Sequence, residues 1–65
     1  MNIDQLREVI WEDLFRTKVA KSVEELAAAT SCNSSEVRAA VSHEWFNLAG
    51  DRVSIAYVAP SHATN

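Results

Sequence analysis

The stretch from Val23 to Ser42, VEELAAATSCNSSEVRAAVS, constrains this chain more than any other, because it carries two short helical patterns separated by a polar break. Val23, Leu26, Ala27 and Thr30 recur at steps of three and four, which places them on one face of a helix. Ser22 precedes the run and Glu25 follows three residues later. The serine hydroxyl can accept from the Glu25 N–H while the carboxylate accepts from the Ser22 N–H, so the start is doubly marked. Ser31, Cys32, Asn33 and Ser34 then favour side-chain to backbone hydrogen bonds over helix. Asn33 with Glu36 repeats the capping arrangement, and a second helix begins there. Its inward face is Val37, Ala40 and Val41, which leaves Ser35, Arg38, Ala39, Ser42 and His43 facing out.

These residues resemble the helix-turn-helix family. That pattern has an alanine one place after an apolar residue in its first helix, as Ala27 follows Leu26, and an apolar turn residue five places on, as at Cys32. Apolar residues of the second helix then fall where Val37 and Ala40 stand. The glycine common in the turn is Ser31 here, which asks an L-residue to adopt a left-handed backbone. With a hairpin following, the chain is similar to a small bacterial-type winged helix. The resemblance implies a mostly α fold with a small β-hairpin, three helices then two strands in the order α-α-α-β-β.

A chain of 65 residues allows one domain and buries only about 60% of the surface its unfolded form exposes. Its 48% hydrophobic composition is that of a globular protein. The domain is expected over residues 1–58. Residues 59–65, Ala-Pro-Ser-His-Ala-Thr-Asn, have no apolar periodicity and are expected to form a flexible tail. No apolar run is long enough for a membrane span, and no basic-then-apolar leader is present, so a cytoplasmic location is expected. The single Cys32 has no cysteine to pair with and reads as a small core residue of the turn.

Residues 2 to 17 read as the first helix. Asn2 and Gln5 form a weaker capping box, and Asp4 and Glu8 near the start with Arg16 and Lys18 near the end match the helix dipole. Ile3, Leu6, Ile10 and Leu14 make a stripe that Trp11 and Phe15 widen. The two aromatics read as packing rather than a base-stacking platform. Arg7 falls inside the apolar arc, and Glu44 falls likewise among Ala40, Val37 and Leu48 of the third helix. Either the two charges meet at the core edge, or each stem snorkels separately to water.

Gly50-Asp51 is a two-residue loop with glycine first, suited to a tight antiparallel hairpin. It sets Leu48 opposite Val53 and Phe46 opposite Ile55 on one face, continued by Tyr57, with Asn47, Arg52 and Ser54 facing solvent. The third helix should end near Glu44 or Trp45, with Trp45 closing the core against the first helix. Val19, in the connection after the first helix, is the residue on which a short extra strand could bridge to the hairpin.

Catalysis has little support, since no serine is paired by spacing with a base, and no enzyme activity is expected. Cys32, His43 and His62 match no zinc spacing, and one glycine cannot build a phosphate loop, so neither metal nor cofactor is expected. The resemblance implies a helix from about Ser34 to Glu44 that enters the major groove of double-stranded DNA. Its contacts would be Ser34, Ser35, Arg38, Ser42 and His43, with Lys21 and Arg52 on phosphates; only Arg38 can grip guanine bidentately.

Charge pulls the other way. Residues 22 to 49 hold Glu24, Glu25, Glu36 and Glu44 against Arg38 alone, a net of −3 where phosphate attraction is needed. No long exposed apolar stripe predicts a dimer helix. Two functions from different classes follow: a small DNA-binding transcriptional regulator, or a protein-interaction module that keeps the fold and docks another protein through its acidic surface or the edge of its wing.

Overall fold

A computed structural model describes residues 2–56 of the protein. Helix α1 (Ile3–Thr17), strand β1 (Lys21–Ser22), helices α2 (Val23–Thr30) and α3 (Ser34–Val41), and strands β2 (Phe46–Ala49) and β3 (Arg52–Ile55) follow in that order. Three helices and a small antiparallel sheet of strand order β1-β3-β2 are compatible with a winged helix. Tyr57 and the tail expected over residues 59–65 lie outside the described residues.

Each helix starts where a local cap dictates. The Asn2 side chain accepts from Gln5 N at 2.8 Å, Ser22 Oγ from Glu25 N at 3.1 Å and Asn33 Oδ1 from Glu36 N at 2.8 Å. At α2 and α3 the capping glutamate also accepts from the N-cap amide, at 2.9 Å for Glu25 and 3.2 Å for Glu36. Two otherwise orphaned N–H groups are thereby satisfied at each of these ends. α2 stops because Ser31 is left-handed, at φ 60° and ψ 31°, and its N–H turns back to Ala27 O. Serine therefore does the work of the turn glycine.

The core is one cluster. α1 contributes Leu6, Ile10, Trp11 and Leu14, α2 adds Val23 and Leu26, α3 adds Val37, Ala40 and Val41, and the sheet closes it with Phe46 and Val53. Ile3, Phe15, Cys32, Trp45 and Ile55 pack around it, partly buried. Cutting any of the buried leucines back to alanine costs about 2–5 kcal/mol, a large share of what so small a domain can have. Trp45 meets Trp11 edge-on at 6.4 Å, closing the core against α1 as its position predicts. Trp11 stacks on Phe15 at 4.7 Å, and Lys18 Nζ lies 3.9 Å over the Phe15 ring.

The hairpin keeps the register the turn imposes: Leu48 pairs with Val53 and Phe46 with Ile55. Burial along that face is uneven. Val53 is fully buried and Phe46 nearly so, yet Leu48 is 45% exposed. β3 is the central strand, while β2 lies at the edge and runs off the core as it nears the turn. The third strand is present, but at Lys21–Ser22, paired with Val53 and Arg52, and not at Val19, which is 56% exposed.

Two expectations need correction. α3 ends at Val41, not near Glu44, because Ser42 takes φ −77° and ψ 70° and His43 N donates to Val41 O at 2.8 Å. That is an inverse γ-turn, and it reverses the chain toward β2 within three residues. Arg7 does not pair with Glu44. Its Nε donates to Ala40 O at 3.0 Å and its Nη1 to Asp4 Oδ1 at 3.0 Å, while Glu44 stands exposed in the turn after α3.

Candidate nucleic-acid interface

The candidate surface is the outer side of α3. Val37, Ala40 and Val41 are drawn into the core, so the spacing of the helix leaves Ser34, Ser35, Arg38 and Ala39 exposed together. Three of these side chains are small, so another molecule can approach the backbone closely. Arg38 alone reaches outward. Its side chain has no ion pair or hydrogen bond among the described residues. At eight residues α3 is about 12 Å long, roughly the width of a major groove.

Ser42 and His43 do not belong to this stripe. Ser42 is the centre of the γ-turn and remains exposed. His43, expected to be a solvated residue of the helix face, is half-buried beyond its end. Its Nδ1 accepts from Trp45 N at 3.2 Å and its ring meets the Trp45 ring at 4.9 Å, so the side chain shapes the corner between α3 and β2.

The two expected phosphate anchors fare differently. Lys21 is half-buried, with Nζ 2.6 Å from Asp13 Oδ2, so its charge is already neutralised within the fold. Arg52 is exposed beside the hairpin turn and uses one nitrogen on Ala20 O at 3.2 Å. Four further donors of its guanidinium can still reach a ligand.

Sequence reasoning missed Asp13. Half-buried on α1, it gathers Lys21 and also Arg16, whose Nη2 lies 3.3 Å from Oδ1. The i, i+3 spacing to Arg16 was a visible signal, but the contact to Lys21 depends on how β1 folds back beside α1. Two of the acids near α3 are likewise committed, whereas Glu44 just beyond its end is exposed. Glu36 is held in the cap of α3, and Glu25 in that of α2. The Glu25 carboxyl titrates below its usual range, first because it accepts from the Ser22 backbone, then from the Ser22 hydroxyl, with Arg52 and Lys21 adding smaller attractions.

No group of three or more His, Cys, Asp or Glu side chains among the described residues could hold a metal ion. No described helix is long and apolar enough to cross a membrane. Comparisons with protein families, with curated proteins and with solved structures find no match to this chain.

Proposed function

We propose that this protein is a winged helix-turn-helix module that binds double-stranded DNA, as a small transcriptional regulator or a part of a larger nucleoprotein assembly. α3 enters the major groove. Arg38 grips a guanine edge through its paired nitrogens, Ser34 and Ser35 touch bases or phosphates at the start of the helix, and Arg52 holds a phosphate from the wing. The observation that carries this reading is the exposed stripe of Ser34, Ser35, Arg38 and Ala39, whose one cation has no ion pair or hydrogen bond among the described residues. On this reading no catalytic role is assigned to any residue.

Titration against duplex DNA at low salt tests it. With about −0.9 in the logarithmic salt slope per phosphate neutralised, Arg52 on a phosphate gives about −1, and about −2 if Arg38 also neutralises one. Absence of binding at about 50 mM salt, where such contacts are strongest, would remove the reading.

A second reading is favoured by the Lys21–Asp13 pair, which takes one of the few available cations away from any phosphate. In it the fold serves as a protein-interaction module, and the acidic surface meets a basic partner. The same titration separates the two.

A further inference from the structure

We infer that His43 is a proton-operated clasp on the corner between α3 and β2, closed while its imidazole is neutral and opened when the ring takes up a proton. The corner is short. Ser42, His43, Glu44 and Trp45 are all that separate the helix from the strand, so their bonds set how α3 meets the hairpin. His43 supplies three of those bonds. Its N–H donates to Val41 O at 2.8 Å, its C=O accepts from Phe46 N at 3.1 Å, and its ring Nδ1 accepts from Trp45 N at 3.2 Å. The two backbone bonds are indifferent to acid. The third is not.

The ring chemistry leaves one place for the proton. A neutral imidazole that accepts at Nδ1 carries its hydrogen on Nε2. No buried side-chain nitrogen or oxygen among the described residues lacks a partner, so Nε2, which has no protein partner there, reaches water. Nδ1 is then the basic nitrogen, and it is the atom that Trp45 N already uses. A proton added to it turns the acceptor into a donor and sets two N–H groups against each other. The bond is lost with the gain of charge. Histidine undergoes that change between about pH 5 and about pH 8, where no other side chain does so by default.

The surroundings do not hold a charged ring in the closed position. No carboxylate pairs with His43 among the described residues. Of the elements that meet at the corner, α1 brings Arg7, which donates to Ala40 O and to Asp4. α3 brings Arg38 on its outer side and Glu36, committed to the cap at its far end. β2 has no charged residue, β3 brings Arg52, turned to Ala20 O, and the corner itself brings the exposed Glu44. Opening is felt beyond the corner, because the His43 ring lies 4.9 Å from the Trp45 ring, which in turn meets Trp11 of the core. The inference is independent of what α3 binds.

Amide hydrogen exchange on the whole chain without DNA, compared at about pH 8 and about pH 5, tests it. Protection of the Trp45 amide, taken relative to an unstructured chain at the same pH, should fall about five-fold at the lower pH, the equivalent of one neutral hydrogen bond. The Cys32 and Ala56 amides, whose acceptors are carbonyls, should keep theirs. His43→Asn offers a side-chain oxygen to the amide two residues on and should keep Trp45 protected at both pH values. His43→Leu should leave it unprotected at both, with helical circular dichroism unchanged. His62→Gln removes the other histidine of the chain and should respond as the unaltered protein does. Equal protection of Trp45 at the two pH values, a fall that persists in His43→Asn, or a fall that His62→Gln abolishes would each overturn the inference.

Discussion

Arg7 Nε donates to the carbonyl oxygen of Ala40 across 3.0 Å, which ties the first helix to the last turn of α3. The guanidinium meets one of the carbonyl groups that the end of a helix leaves without an intrahelical partner, at the negative pole of its dipole. With its side chain only 18% exposed, Arg7 combines an apolar stem against the core with a head that closes a helix terminus. Arg7→Met retains the stem and should cost about 1.5–3 kcal/mol, the worth of a charge-assisted hydrogen bond. Glu44→Gln should change stability by less than about 0.5 kcal/mol, and the double variant should be additive. Urea denaturation followed by tryptophan fluorescence checks all three.

The reciprocal caps of α2 and α3 should carry similar weight. Ser22→Ala and Asn33→Ala should each lose about 1 kcal/mol, and glycine at either position only a few tenths. The sites lie on different helices, so their losses should sum. An effect under about 0.3 kcal/mol at either would mean that packing alone sets that helix start.

Acid should weaken the fold partly through Glu25. Its carboxyl titrates lower in the folded chain than in the unfolded one, so its contribution is present above the unfolded value and is lost as pH falls through the lower folded value. Glu25→Gln keeps the capping geometry and removes the titration. The variant should show a flatter decline of stability across that acidic window, read by urea midpoints at stepped pH.

If the protein binds DNA as proposed, Arg38 is the residue on which the affinity should turn. Arg38→Ala should weaken binding to a preferred site by about 1–3 kcal/mol, and Arg38→Lys should restore attraction to phosphate without restoring base preference. Lys21→Gln should reduce stability through Asp13 and alter the salt slope little. A loss of about 0.9 in slope on Lys21→Gln, measured by fluorescence anisotropy, would place Lys21 on the phosphate after all.

Gly50 sits at φ +66° with nothing within 4 Å of where a Cβ would stand. Gly50→Ala should therefore cost only backbone strain, about 1–2 kcal/mol. Gly50→Asn should cost less, since asparagine visits that region more readily. Thermal denaturation ranks the two.

Local rules made much of this legible in advance. Caps depend on residues three apart, and hairpin register follows from the length of a turn, so Ser22, Asn33 and Leu48 opposite Val53 could be read directly. The end of α3 could not. It rests on a γ-turn at Ser42 and on a His43 side chain that accepts from Trp45, a feature with no periodic signature. Arg7 was visible as a misplaced charge, but its acceptor is a backbone carbonyl 33 residues away. Of the expected contact residues, Ser34, Ser35 and Arg38 share one exposed stripe because helical spacing alone puts them there. The structure holds Lys21 in a tertiary ion pair and sets Ser42 and His43 beyond the early end of the helix, neither of which helical spacing could foretell.

Ser31 holds its left-handed backbone without being glycine, and so does Lys18 at the end of α1, at φ 59°. Neither residue prefers that shape, which costs about 1–2 kcal/mol, and each is held by a helix-end hydrogen bond, Lys18 N to Leu14 O and Ser31 N to Ala27 O. The bend between α2 and α3 thus rests on a backbone that its own residue disfavours. Freed from its neighbours, a peptide spanning the two segments should not keep their mutual angle.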